Sequence, residues 1–374
     1  TMSEQTFYYG VTQNLSANTF EREGYTFEGW TLVSDGKSMY SDKESISDVA
    51  TDTTLYAVWF YGSVVTATTV SELDLTNLTD AYTIKVTGNI TQSDLVALAG
   101  KMADATAEIT LDLSETNLTT ISSTSDSKSI FASCTKLTEI VLPETMTTIG
   151  SYAFYRTGLK NITIPTSVKT IGAYAFSSSA ITSINIDGVD TIGEHAFSYN
   201  KKLSIVTLKN ISNINYGAFQ YCEALENLTV DSVGSIGTYV FSGCIALSCV
   251  SLVNVTTVGQ NAFENCTKLS SVTIDAITIE REAFSGCTVL SSVTIGKRVT
   301  AIENYYYTNS STNETTYCRV FEGCSALTSV TFLDAENWYY SSSYSYSLDV
   351  TNAATNASSL TGYWGGYKWY KKTE

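Results

Sequence analysis

A phenylalanine recurs from residue 131 onward, and no other feature restricts the possible fold of this chain as strongly. The intervals between consecutive anchor phenylalanines are 23, 22, 21, 22, 22, 22, 21 and 37 residues. A repeat this short cannot bury its apolar side chains alone, so consecutive repeats must stack and share one core. The anchors are Phe131, Phe154, Phe176, Phe197, Phe219, Phe241, Phe263, Phe284 and Phe321.

Each repeat also carries the signature of one short strand. Five or six residues after the anchor comes the pattern Leu-x-x-Ile-x-Leu, as in Leu203, Val206 and Leu208. An Ile or Val lies five residues before the anchor in seven consecutive repeats, beginning with Ile149 and Phe154. This constant interval indicates a packed corner, whereas the segments of variable length are loops. The pattern predicts a mainly β leucine-rich-repeat solenoid over 108–335, with about nine to ten coils of 21–23 residues.

The long interval and the two ends of the solenoid need separate explanations. The interval of 37 residues is a normal coil that carries an insertion at 303–316. Open ends would expose core and unpaired strand edges, so we expect a cap at 81–107 and an aromatic cap at 336–374. In the first cap, a strand is predicted at 82–86 and a helix at 92–103, with an N-terminal signal at Thr91. The apolar face of that helix is predicted to consist of Leu95, Val96, Leu98, Ala99 and Met102.

The amino-acid sequence of the repeats resembles the BspA-type leucine-rich repeat of bacterial and protist surface proteins. The resemblance rests on phrases such as TTIGSYAFYRTGLKNITIPTSVKTIGAYAF and covers about 108–333. It departs from that family where the Leu-Pro step is lost after Pro165 and where the insertion occurs. The resemblance implies a right-handed solenoid on a bacterial surface protein that binds other molecules.

The first part of the chain follows a different pattern. Aromatic and polar residues alternate there with Gly turns, which indicates short antiparallel strands. The phrases FEREGYTFEGW and TLYAVW are similar to the internalin B-repeat, a small β-grasp-like module of bacterial surface proteins. That family has an additional first strand ending in Asn-Gly-Gly, which is absent here. We therefore expect a partial module at 1–59 that the chain enters partway, and a linker at 60–80.

Composition and charge argue against several classes of function. The chain has 21 basic and 37 acidic side chains, a net charge of −16 and a single His. Nucleic acids and anionic membranes both prefer Lys/Arg patches, so neither is expected as a partner. Without a run of 18 apolar residues, direct membrane insertion is not expected either. No cofactor, metal or catalytic motif is recognised, and the sequence predicts a protein that is not an enzyme.

Six of the eight Cys fall three residues after an anchor, where other coils carry Thr157, Ser179 and Asn200. A position that accepts Cys, Ser, Thr or Asn indicates a turn in which a small side chain meets backbone groups. Buried free thiols are the favoured interpretation, with disulfides between coils or a metal site as alternatives. Of the eight, Cys318 beside the insertion is the candidate for a reactive thiol, with an inert thiol as the favoured interpretation. The six column members are Cys134, Cys222, Cys244, Cys266, Cys287 and Cys324.

Two groups of residues are candidates for contact with a partner. The first is the outward position between the Ile and the last Leu of each Leu-x-x-Ile-x-Leu pattern. Thr at this position also has a structural explanation, because Thr favours strands and keeps a sheet soluble. The second is a set of aromatic side chains, the type that dominates interface energies, although capping and loop packing are the favoured explanation for them. The candidates are Thr207, Thr229, Thr273, Thr294, Tyr305, Tyr306, Tyr307, Tyr317, Tyr339 and Tyr340.

In the six coils from Phe154 to Phe263, the position two residues before the anchor holds Tyr, His, Gly or Asn, including His195, and is interpreted as a half-exposed filler rather than a site. Taken together, the sequence predicts a secreted or surface-anchored protein that mediates adhesion or host interaction. Its partner would be an unidentified extracellular protein or glycan, and a monomer is expected. The signal and anchor are expected to lie outside this sequence. The alternative is a structural spacer that displays other domains.

Overall fold

The computed structural model describes residues 13–15, 25–31, 45–46, 55–61, 63–67, 82–103, 105–122, 129–308, 315–341, 345–362 and 367–372. Strands and helices are numbered in chain order. The first four strands form two antiparallel pairs, β1 with β3 and β2 with β4. They are β1 (Gln13–Asn14), β2 (Tyr25–Thr31), β3 (Ser45–Ile46) and β4 (Tyr56–Tyr61).

A small hydrophobic cluster of its own belongs to these four strands. Trp30 and Leu15 are buried in it, and the Trp30 ring meets Phe27 edge to face at 5.0 Å. A β-bulge between Phe27 and Gly29 shifts the register of β2 against β4. Short antiparallel strands are therefore observed where the aromatic and polar alternation predicts them.

The rest of the described chain is a solenoid with two parallel sheets, which confirms the predicted mainly β repeat fold. The front sheet contains the longer strand of most coils and the back sheet the shorter one. Front-sheet strands are β5 (Ser63–Ala67), β6 (Tyr82–Val86), β7 (Ile109–Asp112), β9 (Leu137–Val141), β11 (Asn161–Ile162), β13 (Ser183–Asp187), β15 (Ile205–Ile214), β16 (Asn227–Ile236), β17 (Cys249–Val253), β19 (Ser271–Asp275), β21 (Ser292–Ile295) and β25 (Ser329–Phe332).

The back sheet is made of strands two residues long. Strands β15 and β16 run through both sheets, so their last residues pair in the back sheet as well. The short strands are β8 (Thr120–Ile121), β10 (Thr148–Ile149), β12 (Thr170–Ile171), β14 (Thr191–Ile192), β18 (Thr257–Val258), β20 (Thr278–Ile279) and β22 (Ala301–Ile302).

Consecutive coils pair in register, which places like residues above one another. Ile184 of β13 lies opposite Val206 of β15, and Val206 lies opposite Leu228 of β16. Because successive strand residues point to opposite faces, every second position of each strand enters the core. The alternation explains why Val206 and Leu208 are both completely buried.

The anchor phenylalanines form one continuous stack inside the solenoid. Neighbouring rings lie 5.0 to 5.6 Å apart between centroids, with interplanar angles of 21° or less. All nine rings are completely buried. The alanine before most anchors is buried as well, for example Ala196 and Ala218, and it leaves room for the coils to approach. The predicted anchor column is thus the centre of the core.

At the first end, helix α1 (Gln92–Met102) covers the core. Thr91 and Asp94 form the predicted capping box, and the hydrogen bonds from Thr91 hold the pKa of Asp94 below its usual value. The Gln92 side chain donates to the carbonyl of Thr120 at 2.7 Å and accepts from the amide of Ser122 at 3.0 Å. It thereby pairs with the edge of β8 as a neighbouring strand would. Val96, predicted on the apolar face, is instead exposed.

At the other end, an antiparallel sheet and a second helix close the solenoid. The elements are β26 (Trp338–Ser341), β27 (Ser345–Ser347), α2 (Ala353–Thr361) and β28 (Lys368–Lys371). Strand β28 pairs with β22 and with β26, which extends the back sheet. Trp338 and Trp369 are buried against Phe332, as expected for an aromatic lid. Trp364, from the same aromatic segment, lies outside the described residues.

A buried asparagine closes the last front strand. The Asn356 side chain in α2 donates to the carbonyl of Val330 at 2.9 Å and to that of Val350 at 2.8 Å. The carbonyl groups at the edge of a sheet would otherwise lack partners away from water. Asn356 therefore does for the front sheet what Gln92 does for the back sheet.

The segment expected as a linker contains a strand of the solenoid. Strand β5 pairs in parallel with β6, with Ser63 opposite Tyr82 and Ala67 opposite Val86. The front sheet therefore begins inside the predicted 60–80 linker and before the predicted 81–107 cap. Its residues, Ser-Val-Val-Thr-Ala, suit a strand, but they lie outside the phenylalanine register that defined the repeats.

Phe241→Ala should lower the free energy of unfolding by about 3–5 kcal/mol, because the lost ring leaves a cavity between two rigid neighbours. Urea denaturation followed by circular dichroism measures this loss. Tyr216→Ala serves as the control, because it removes an exposed ring and should cost about 1 kcal/mol or less. Equal losses for the two variants would contradict the central role of the stack.

Asn356→Leu should destabilise the protein by about 1–3 kcal/mol, since it leaves the carbonyls of Val330 and Val350 unpaired. Thermal unfolding by differential scanning calorimetry provides the measurement. Ser358→Ala lies in the same helix on its exposed side and should leave the Tm nearly unchanged. An Asn356→Leu protein as stable as the parent would mean that the edge carbonyls do not depend on this cap.

Candidate functional site

The predicted threonines form one continuous row on the outer face of the front sheet. Thr207 lies opposite Thr229, and Thr273 lies opposite Thr294. All of them are exposed or half-buried, because their neighbours in sequence point into the core. We call this set the threonine row; its members are Asn185, Thr207, Thr229, Ser251, Thr273, Thr294 and Thr331.

A shallow concavity of about 460 Å³ lies on this face where β11 is only two residues long. Strands β9 and β13 on either side have five residues each. Glu139 is the one ionisable group that lines the concavity, and Ile205 provides an exposed apolar side chain. The other side chains that reach it are mostly small and uncharged, among them Asn161, Thr163, Ser183, Asn185 and Thr207. Such a surface offers hydrogen-bond donors and acceptors without a strong field.

The predicted tyrosines of the insertion lie on an antiparallel hairpin. Its strands are β23 (Tyr305–Thr308) and β24 (Thr315–Cys318), with Tyr306 opposite Tyr317. The Tyr305 ring is half exposed and lies 5.8 Å from the guanidinium carbon of Arg281. It lines a cleft of about 400 Å³ together with Glu280 and Glu303. The side chains of Tyr306, Tyr307 and Tyr317 lie outside the described part of the structure.

Tyr339 and Tyr340 belong to the C-terminal cap. The Tyr339 ring stacks on Tyr370 at 6.0 Å, and Tyr340 packs against the core and meets Tyr367 at 5.7 Å. Beside them, the hydrogen bond from Lys371 holds the pKa of Asp334 below its usual value. The structure therefore distributes the predicted contact residues over the front sheet, the hairpin and the cap, and it gives Tyr339 and Tyr340 a packing role.

A row of aromatic rings lies at the corner after the back sheet. Four of them occupy the position that the sequence analysis interpreted as filler, and Tyr216 lies one residue earlier in its coil. Tyr152 stacks on Tyr174 at 4.8 Å, and Tyr174 stacks on His195 at 4.9 Å. Tyr216 then meets His195 edge to face at 5.2 Å and Tyr239 at 5.5 Å. We call these five residues the aromatic ridge. The signal in the sequence was the frequent Tyr two residues before the anchor, but the direction of the rings could not be derived from it.

The ridge depends on an uncommon backbone conformation. Tyr152, Tyr174, His195 and Tyr239 all have positive φ, between 52° and 58°. The coil after His195 has Gly217 at the same position, and a Cβ at residue 217 would come within 2.6 Å of the His195 ring. Without a side chain at 217, the His195 ring fits over the following coil. The ring contacts of the ridge therefore follow from the corner geometry that each coil repeats.

His195 has the surroundings of a packed ring rather than of an acid–base catalyst. Burial lowers the pKa of its imidazole, and the carboxylate of Glu194 acts in the opposite direction with a smaller effect. Its ring neighbours are Tyr174 and Tyr216. Over the described ranges, no group of three or more His, Cys, Asp or Glu side chains is arranged to hold a metal ion.

The cysteine column consists of free thiols, five of which donate hydrogen bonds to the backbone of the preceding coil. Cys222 donates to the carbonyl of Phe197 at 3.3 Å, and the same bond recurs for Cys244, Cys266, Cys287 and Cys324. In the coil before Cys222, Asn200 occupies this position and donates to the carbonyl of Phe197 at 2.8 Å. The column is thus a backbone-capping position, which agrees with the favoured interpretation.

Burial makes the column thiols unreactive. It raises the pKa of Cys222 to about 12 and that of Cys134 to about 11. Cys318 is half-buried, and burial followed by the nearby Glu282 raises its pKa too. Cys249, on the outer face of β17, is exposed. The accessible thiol is therefore Cys249 rather than Cys318, because Cys318, at the end of β24, is half-buried beside charged neighbours, whereas Cys249 faces solvent.

Comparison with known families finds two matches. The family model of the BspA type leucine rich repeat region matches six copies, over residues 119–248 and 212–320. The Listeria-Bacteroides repeat domain matches residues 1–58. These matches coincide with the solenoid and with the N-terminal module. Neither α1 nor α2 is a candidate for crossing a membrane, and no other described segment forms a helix of the length and apolarity required.

Several solved structures are similar to parts of this chain. A leucine-rich repeat protein from Bacteroides ovatus is 23% identical with a TM-score of 0.40, over 66% of this chain and 64% of that one. A leucine rich cell surface protein from Faecalibacterium prausnitzii is 19% identical with a TM-score of 0.31, over 86% and 96%. The leucine rich repeat protein of T. pallidum is 25% identical with a TM-score of 0.33, over 45% and 75%. No curated protein matches the chain.

The exposure of the thiols predicts their order of reaction. In the native protein at pH 8, Ellman's reagent should modify Cys249 rapidly and the six column thiols only after unfolding. The buried thiols lack both access and the thiolate form. Cys249→Ser should abolish the fast phase, whereas Cys318→Ser should leave most of it. Rapid modification of several thiols in the folded Cys249→Ser protein would show that the column is open.

Proposed function

Because the chain belongs to the BspA-type leucine-rich-repeat family, we propose that it is a non-catalytic binding protein of a bacterial cell surface or its surroundings. The family implies a role in protein interaction, and adhesion or host contact is the specific form proposed here. Both modules resemble parts of bacterial surface proteins, which supports the extracellular location. The partner would be an extracellular protein, held on the outer face of the front sheet.

The observation that carries this proposal is the threonine row and its concavity. A partner that approaches this face meets side chains only, because the backbone groups are paired between neighbouring strands. The row itself contains no charged residue, although the chain carries a net charge of −16. Interface centres are usually depleted of charge, so this neutral strip is a suitable contact surface on an acidic protein.

The concavity would provide the centre of such a contact. It combines hydroxyl and amide groups, which can donate and accept, with the exposed Ile205. Ile205 is 47% exposed on an otherwise polar face, so an apolar group of a partner could pack against it. Glu139 at the edge adds one fixed charge that would orient a basic group of the partner.

A structural spacer is the second candidate function, and the phenylalanine stack favours it. Nine buried rings in one column, with a cap at each end, make a stiff rod that can hold other domains apart. The two functions differ in their demands on the surface. A spacer needs only a soluble outer face, whereas a binding protein loses its partner when that face changes.

The test uses Asn185→Arg and Thr229→Arg, which place a bulky charge at exposed positions of the threonine row. Asn213→Arg introduces the same charge at an exposed position in the back-sheet part of β15 and serves as the matched control. Immobilised parent protein is exposed to purified extracellular-matrix proteins and to intact host cells. Bound protein is then measured by surface plasmon resonance and flow cytometry.

We expect the row variants to lose about tenfold in affinity, since a desolvated charge costs at least about 1.4 kcal/mol, while Asn213→Arg binds like the parent. All three should keep the parent Tm within a few degrees. Absence of binding by the parent to every probe would favour the spacer. Retention of glycan binding after enzymatic removal of the protein component would replace the protein partner by a carbohydrate.

A further inference from the structure

We propose that the aromatic ridge is a second binding surface and that it takes a proline-rich peptide segment in the polyproline II conformation. The ridge lies at the corner after the back sheet, whereas the proposed contact of the threonine row lies on the front sheet. The inference therefore goes beyond the proposed function. It rests on the exposed chemistry of the rings, on the local charge and on their spacing.

The ridge offers hydroxyl groups and ring edges rather than ring faces. The faces of the Tyr152, Tyr174 and His195 rings are covered by one another, because these rings stack with centroids 4.8 and 4.9 Å apart. No hydrogen bond within the described part of the chain involves the hydroxyl group of Tyr152, Tyr174, Tyr216 or Tyr239. The edge of an aromatic ring is electropositive and a phenol donates, so the surface suits a ligand rich in acceptors such as peptide carbonyls.

The ridge coils also carry few charged residues for an acidic molecule. Each coil has a six-residue segment that begins three residues before the anchor and ends two residues after it. In the five coils that form the ridge, Arg156 and Glu194 are the only charged residues in these segments. The next three coils carry five charges in the same segments, for example Arg281 and Glu282. A neutral ligand that lacks amide donors is complementary to such a surface. A proline-rich segment is neutral, and its prolines carry carbonyl acceptors but no N–H groups.

The spacing of the rings fits the pitch of polyproline II. Two successive ring intervals, 4.8 and 4.9 Å, correspond to about one turn of this helix, which has three residues at ~3.1 Å each. An extended β-strand repeats every two residues, or roughly 6.7 Å, and would lose the match within two coils. From Tyr152 to Tyr239 the ring intervals of 4.8, 4.9, 5.2 and 5.5 Å span the length of about seven residues of polyproline II.

A second, shorter aromatic pair lies beside the ridge. Tyr199 and Tyr221 also have positive φ and lie 5.0 Å apart, on the other side of the anchors. Ser198, which lies between His195 and Tyr199 in the chain, is completely buried. Rings held by their neighbours lose little entropy when a ligand binds. Aromatic walls of this kind are what proline-rich ligands use in other recognition domains.

The experiment uses the full chain and fluorescein-labelled oligoproline peptides of four, eight and twelve residues, with fluorescence anisotropy as the measurement. We expect the eight-residue peptide to bind with a Kd below about 1 mM and at least tenfold more tightly than the four-residue peptide, which covers only part of the ridge. The twelve-residue peptide should gain no more than about twofold over eight residues, because the additional length extends past Tyr239.

Two substitutions taken from neighbouring coils remove the rings without disturbing the corner. Tyr174→Asn places at 174 the residue that the chain carries at the equivalent Asn261, with φ 53°, and Tyr216→Thr copies the equivalent Thr238. Each should weaken the eight-residue peptide about tenfold while circular dichroism and Tm stay near the parent values. Tyr305→Ser, which removes an exposed tyrosine beside Arg281 past the Tyr239 end of the ridge, and Thr229→Arg on the front sheet should bind the eight-residue peptide like the parent.

Three results would overturn the inference. The first is no detectable binding of the eight-residue peptide at 1 mM, about the weakest specific affinity that we expect. The second is binding that Tyr174→Asn and Tyr216→Thr leave unchanged. The third is binding of a neutral oligosaccharide, cellohexaose, that the same two substitutions abolish while the peptide fails to bind. Since Thr229→Arg leaves the ridge intact, failure of the front-sheet proposal would not change these outcomes.

Discussion

The structure depends on one constraint: every coil must present its apolar side chains at the same height as the coils above and below it. Parallel strands separated by about 4.8 Å impose this distance. The phenylalanine rings match it, with centroids 5.0 to 5.6 Å apart and nearly parallel planes. Insertions are therefore accepted where they leave the stack alone, as in the hairpin of β23 and β24, which emerges between Ile302 and Phe321.

Stacking leaves unpaired backbone groups at each end of the solenoid, and side-chain amides form hydrogen bonds with them on both sheets. Gln92 donates to and accepts from the edge of β8, and Asn356 donates to the Val330 carbonyl of the last front strand and to the Val350 carbonyl before α2. Within the solenoid, the thiols and the Asn200 amide bond to anchor carbonyls in a related manner. Polar side chains thus complete the backbone hydrogen bonding wherever the parallel ladders cannot.

Much of this architecture could be predicted from the sequence, because the same residue types recur at equivalent positions in many coils. The anchor column, the capping box at Thr91 and the small-residue role of the cysteine column follow from residue type and spacing. Other features depend on contacts between distant segments. The pairing of Ser63–Ala67 with β6 and the bonds of Asn356 require tertiary approach. The ridge could not be predicted, because a position that accepts Tyr, His, Gly and Asn does not reveal in which direction an aromatic ring points.

The positive-φ corner has a further consequence for how such proteins can diversify. The residue two before the anchor is Tyr, His, Gly, Asn or Glu in successive coils, yet the backbone keeps φ between 52° and 59° at each. The core column next to it does not change. Side chains at the corner are therefore free to vary one coil at a time while the fold beneath them is conserved. A solenoid of this kind separates the residues that determine its shape from those that determine what it can recognise.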